Sequence, residues 1–346
     1  MFEALLSLCL ISEPASCRDV LLPGFEADSQ ETCEERVADT DWKARFPQYL
    51  QNVAPECRLT GPVADFVEIT DGVFAHRGII SDAAEENYGN VSNVGFVIGA
   101  KSIAVIDTGG SRKIAEMIYR AIRQRSDLPI SYAILTHMHP DHVLGASVFA
   151  DAGAKIIGHP GLARALADRA ETYQDNFGRL IGAGQFIGTR IVVPDVVVDE
   201  LLQLDLGERM LALRTWPRAH TGTDLTVMDQ ASGTLFTGDL VFDKHAPALD
   251  GSLVGWQSVL AELMTLDAAR IVPGHGGPVL DWPTGAEALA RYLDVLAEDT
   301  RTAIDEGQPL SEAVDNIARS EASNWQLFDL FNPRNATVAY TELEWE

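Results

Sequence analysis

Basic residues are scarce in this chain: 26 lysines and arginines stand against 51 aspartates and glutamates, a formal charge of -25 at pH 7. A surface of that sign repels a phosphate backbone and gains nothing from an anionic bilayer, so nucleic acid is excluded as a partner. No apolar run reaches the roughly 18 residues that a membrane-crossing helix requires, and no membrane span is expected. Cysteine is absent beyond position 57 and no Cys-x-x-Cys pair occurs, which removes the usual zinc-finger and dithiol-redox patterns. Repeats and low-complexity tracts are missing too, so neither a solenoid nor a linker scaffold is at hand. The start of the chain lacks a basic n-region: Glu3 precedes the apolar stretch 4–11, and the following Ser-Glu-Pro-Ala-Ser is a poor cleavage site. That stretch is therefore expected to belong to the folded protein.

What is present begins with length: 346 residues with 46% hydrophobic content are enough for a sizeable core. All four cysteines, Cys9, Cys17, Cys33 and Cys57, crowd into the first 57 residues. This is the pattern of two disulfides stapling a unit too small to hold itself together, with three connectivities open. A cysteine-containing module over 1–60 is expected. From 66 onward short apolar runs at 66–69, 73–76, 94–98 and 103–106 read as successive strands, and Ser111 reads as the cap of a helix to about 125. A buried strand at 132–135, another at 155–158 and a helical insertion over about 161–181 follow. Further strands are expected at 211–213, 225–228, 234–237 and 270–272, closing a central domain over 61–285. Residues 286–346 read as helices with an extended tail, packing on that domain.

The chemistry concentrates in Thr136-His137-Met138-His139-Pro140-Asp141-His142, directly after a buried strand. His137 and His139, two apart on extended backbone, aim their rings to one face, and Pro140 turns the chain so that Asp141 and His142 address a neighbouring point. Three imidazoles and a carboxylate suit two adjacent divalent ions. Only eight histidines exist in the chain. Two more stand at strand-to-loop junctions, His220 and the His275 of Pro273-Gly274-His275-Gly276, while another strand ends at Gly238-Asp239. His76, His159 and His245 lack such company and are expected to be ordinary core or surface residues.

This ordered series resembles the signature of the metallo-β-lactamase fold superfamily, over roughly 65–285. The resemblance implies an α/β protein, an αββα sandwich of that fold with a small N-terminal disulfide-bearing segment. It further implies one ion on His137, His139 and His220, a second on Asp141, His142 and His275, and Asp239 bridging both. The expected cofactors are two Zn2+, with iron or manganese as alternative occupants. A metal-bridging hydroxide would then attack an ester, thioester or related acyl bond of a small-molecule substrate, with Asp141 as the catalytic proton acceptor. Asp107 and Thr136 are candidates to support the ligand rings. True β-lactamases of this fold carry cysteine or serine where Asp239 stands, so lactam hydrolysis is expected only as a side activity, and iron-dependent redox chemistry is a further alternative.

The N-terminal cysteines together with the ending 337–346 resemble the quinoprotein relay system zinc metallohydrolases, of SoxH-like type. That likeness implies a periplasmic setting and a quinoprotein dehydrogenase system as partner, or else a role as a metal-containing accessory or maturation protein for such an enzyme. Tyr173, Phe177 and Arg179 on the helical insertion are candidates to cover the cleft. Trp256 and the glycines at 182, 184 and 188 are expected to serve packing and an ordinary loop.

Overall fold

The computed structural model describes residues 1–38, 40–51 and 53–345. Asp39 and Asn52 of the expected 1–60 module, and Glu346 at the end of 286–346, lie outside the described residues.

The strands expected from the apolar runs assemble into two large sheets. The first has seven strands in the order Val196–Val197, Lys155–Gly158, Ile130–Ile134, Ile103–Ile106, Val94–Ile98, Val73–His76 and Val67–Thr70. The second has six, running Leu201–Asp205, Met210–Thr215, Leu225–Asp229, Thr234–Phe242, Arg270–His275 and Leu280–Asp281. Val73, Ile106 and Ile134 of the first sheet pack with Leu213, Val227, Phe236 and Val272 of the second. Alternate residues of the first sheet, Phe74, Phe96 and Val105, point the other way, onto Ile114, Ile118 and Ile122 of the helix Arg112–Arg123. Ser111 caps that helix, its hydroxyl accepting from Ile114 N. The outer face of the second sheet is covered through Leu260, Tyr292 and Leu296, from the helices Leu253–Leu263 and Glu287–Asp305. Sheets apolar on both faces explain why their strands read as unbroken hydrophobic runs. The result is the expected helix, sheet, sheet, helix sandwich.

The N-terminal residues form a separate four-stranded sheet in which Phe2–Leu10 pairs with Cys17–Ala27, Tyr49–Leu50 and Glu56–Leu59. Of the three possible pairings, the disulfides are Cys9–Cys17, between directly opposed strand residues, and Cys33–Cys57, which ties the helix Gln30–Val37 to the strand Glu56–Leu59. This sheet docks on the helix Arg112–Arg123 through buried charge. Arg120 donates two bonds of 2.8 Å to Glu3, and Arg18 reaches Glu116 at 2.8 Å. Arg112 is shared between Glu116 and Asp151.

The end of the chain departs from expectation. Instead of an extended tail, Phe328–Leu343 is a helix. Pro333 lies inside it and weakens its local signal. The helix is held by partners distant in sequence: Asn335 bonds Leu249 N, Pro247 O and Tyr292 Oη. Glu342 accepts from Ser252 Oγ and Leu253 N.

Candidate metal centre

The seven side chains nominated from the sequence meet at one edge of the sandwich, where strands end. His137 and His139 follow the strand Ile130–Ile134, and Pro140 begins the short helix Pro140–Val143 that carries Asp141 and His142. His220 is presented by a loop closed on itself, with Asp224 accepting from both the amide and the hydroxyl of Thr221. Burial raises the Asp224 carboxyl to about 7 against those bonds. Asp239 sits in the strand Thr234–Phe242, and His275 ends the neighbouring strand Arg270–His275. Between these strands Gly274 is required, because a Cβ there would lie 1.9 Å from Asp239 Oδ1.

The geometry centres on the Asp239 carboxylate. His142 Nε2 lies 3.1 Å from its Oδ1, and His220 Nε2 and His275 Nε2 each lie 3.4 Å from its Oδ2. His137 Nε2 is 3.6 Å away. Asp141 Oδ2 stands 3.4 Å from His142 Nε2 and 3.3 Å from His275 Nε2. Donor atoms of His137, His139, His220 and Asp239 form one group and those of Asp141, His142 and His275 a second, each within 4.8 Å internally.

The outward ring nitrogens are anchored. His142 Nδ1 donates to Asp107 Oδ2 at 2.8 Å. His137 Nδ1 bonds the Thr136 hydroxyl, which itself donates to Asp107. Backbone oxygens of Ala248 and Val91 accept from His220 Nδ1 and His275 Nδ1. His139 differs, using Nε2 toward Asp250 and presenting Nδ1 inward. Asp107, with φ of 61°, holds this support in a strained backbone conformation. Such anchoring selects the tautomer that leaves each inward nitrogen as a lone pair.

The inward atoms fit a cation. His137 Nε2, His142 Nε2 and Asp239 Oδ1 are buried with no hydrogen-bond partner among the described residues. His139 Nδ1 and His220 Nε2 face each other at 3.0 Å, yet each ring already commits its proton to the opposite side, so two lone pairs are opposed. Buried donors left in that state are costly unless something positive lies between them. Imidazoles and carboxylates in this proportion are the ligand chemistry of borderline divalent ions.

The electrostatics show the same frustration. Burial, aided by the charge of neighbouring imidazoles, drives His220 down to about 3 and His137 well below the usual imidazole range. Burial also opposes charge on His142 and His275, but Asp239 and Asp141 outweigh it, raising His142 well above its ordinary value and His275 to about 9. Desolvation opposes charge on Asp141 and Asp239 too, but the surrounding imidazoles hold both well below the carboxylate range.

A cavity of about 440 Å³ opens onto Asp141, Asp239 and His275. Phe177 of the helical insertion lines it, as anticipated, whereas Arg179 turns away to bond Asn176. Trp256 is a packing residue, fully buried with its indole donating to Leu240 O, although its ring also lies against His220. His76 is satisfied by Asp65 O and Asn90 Oδ1, and His159 accepts from Gly161 N.

His245 meets its expectation as a core residue, its Nδ1 donating to Ala246 O, yet it also reaches the site. It is buried, lines the cavity and packs its ring 4.6 Å from that of His275. Asp250, beside His139, was missed as well. The signal available for His245 was its place shortly after Asp239 on the same strand-to-loop junction.

Residues 87–275 match the family model of the metallo-β-lactamase superfamily. The chain belongs to that superfamily, and with this site it is a metal-dependent hydrolase by class. Among solved structures it is similar to a metallo-β-lactamase from Pontibacter korlensis, at 20% identity over 66% of this chain and 98% of that one, with a TM-score of 0.54. It is also similar to the stereoselective inverting sec-alkylsulfatase Pisa1 from Pseudomonas sp., at 16% identity over 81% of this chain and 50% of that one, with a TM-score of 0.61. Identities this low speak to the fold alone.

Proposed function

We propose that His137, His139 and His220 hold one zinc ion, that Asp141, His142 and His275 hold a second with Asp239 between them, and that the centre hydrolyses an ester, thioester or related acyl bond. One observation carries this reading: the outward ring nitrogens are all engaged, while His137 Nε2, His142 Nε2 and Asp239 Oδ1 are buried with no hydrogen-bond partner among the described residues. Zinc is favoured over iron or manganese by the excess of imidazole over carboxylate. Divalent ions bound there supply an acidified water and polarise an acyl oxygen. Asp141 directs Oδ2 to His142 and His275, which leaves Oδ1 to orient the attacking water and take its proton. Phe177, Phe242 and Leu249 line the same cavity and limit bulk water around the reacting bond.

The two disulfides favour an oxidising compartment, and we place the protein in the periplasm. The resemblance at 337–346 supports a quinoprotein-linked system, and residues 1–60, 61–285 and 286–346 are taken as its structural units.

The test is metal analysis and acyl hydrolysis on one sample supplied with zinc, iron and manganese. About two equivalents of zinc are expected, with turnover lost in Asp141→Ala. Less than one equivalent of tightly held metal, or an Asp141→Ala variant as active as the parent, overturns the reading.

A further inference from the structure

The helix Phe328–Leu343 forms a wall of the cavity through Leu330, Phe331, Arg334, Asn335 and Val338. These positions recur at one and four residues apart, so a single face of the helix is turned to the cleft. That face is firmly placed. Asn335, buried, is bonded to Leu249, Pro247 and Tyr292, and so locks the helix to the loop whose Ala248 oxygen anchors His220.

Arg334 is the one lysine or arginine among the described residues lining this cavity. It is exposed, and it makes no ion pair or hydrogen bond with any described residue. In a chain with 51 acidic and 26 basic residues, partners are abundant, and arginines elsewhere use them: Arg18 pairs with Glu116, Arg120 with Glu3, Arg209 with Asp229 and Arg319 with Asp329. A guanidinium kept free at the mouth of a hydrolytic cleft presents an unused fork of donors to whatever enters.

We infer that Arg334 is a specificity-determining residue that binds a carboxylate on the substrate, remote from the scissile bond; this rests on the hydrolase reading and names its substrate class. A planar guanidinium matches a carboxylate through two parallel hydrogen bonds. Asp82 and Asp250, outside the ligand set, also line the cavity and oppose a doubly charged phosphate more than a singly charged carboxylate. The apolar neighbours Leu330, Phe331 and Val338 suit a short aliphatic spacer between the anion and the acyl group.

The test uses the zinc-loaded full chain and two readouts. In calorimetry, adipamate is compared with hexanamide, which differs by lacking the terminal carboxylate. The parent protein is expected to prefer adipamate by about 10–100-fold, the strength of a hydrogen bond to a charged group. That preference should vanish in Arg334→Glu and survive in part in Arg334→Lys. A contribution from the ions would be common to all three proteins and would cancel in the comparison. In the second readout, the ratio of kcat/KM for mono-p-nitrophenyl glutarate over p-nitrophenyl butyrate should fall by a similar factor in Arg334→Glu. An equal preference in the parent and Arg334→Glu, by either readout, overturns the inference and leaves the hydrolase reading standing. An Arg334-dependent binding preference in a protein that turns over neither ester supports the anion site and counts against the hydrolase reading.

Discussion

The N-terminal sheet and the histidine-rich centre both bury charge, and they complete it in opposite ways. In the first, every buried ion named above has its counter-ion in the protein: Glu3 meets Arg120, Glu116 meets Arg18 and Arg112, and Asp151 meets Arg112. Two disulfides then secure the unit, one joining opposed strands and one tying the helix Gln30–Val37 to the sheet. In the second, imidazoles and carboxylates are gathered with His137 Nε2, His142 Nε2 and Asp239 Oδ1 left without a hydrogen-bond partner among the described residues. A complete network holds a structure together, whereas an incomplete one, rigidly supported from behind, is prepared for a ligand.

Four perturbations separate the two regions, the largest first. Glu3→Gln removes a counter-charge from buried Arg120 and should cost about 3–5 kcal/mol in urea denaturation, with zinc content per folded molecule unchanged. A fall in zinc content as large as the fall in stability would mean that the regions are not independent. Removing the Cys33–Cys57 bond by a double alanine substitution should cost about 3 kcal/mol through the freed loop, again with the metal centre intact; the shorter Cys9–Cys17 loop should cost less.

Asp107→Asn acts on the other region. It keeps the shape but weakens the acceptor that serves His142 and Thr136, and should lower zinc affinity by about 10–100-fold. A competitive chelator titration reads this directly. The melting temperature of the metal-free protein should move little.

The smallest effect is acid sensitivity of the docking network. Burial opposes charge on Asp151, but Arg112, Arg45 and Arg190 outweigh it and lower its pKa. A carboxylate depressed in the folded state stabilises fully above its ordinary range, near 4, and loses that contribution as pH falls through the depressed value. Metal-free protein should therefore lose stability below about pH 4 more steeply than an Asp151→Asn variant does. Parallel slopes would remove Asp151 from the account.

The contrast also separates what could be read locally from what could not. The segment 136–142 was legible because its geometry is local: extended spacing, a proline turn and a short helix place His137, His139, Asp141 and His142 without help from elsewhere. His220, Asp239 and His275 were legible from their strand-to-loop positions and from the superfamily pattern. His245 was not, because its neighbours His275 and Phe331 come from distant parts of the chain. The terminal helix was misread as an extended tail for the same reason. Its content of proline argued against helix locally, while its contacts with Glu287–Asp305 and the 246–250 loop argued for it globally.

By itself the sequence determined which donors exist, that cysteine is confined to a small N-terminal unit, and that apolar runs would make two-faced sheets. Composition and short spacings act within a few residues, and those properties need nothing more. Only the tertiary structure decided which cysteines pair, which nitrogen of each imidazole faces inward, that His245 joins the cleft and that Arg334 stands on its wall without a partner among the described residues. Each of those depends on chain segments far apart in sequence being packed together, and packing is decided by the whole molecule at once.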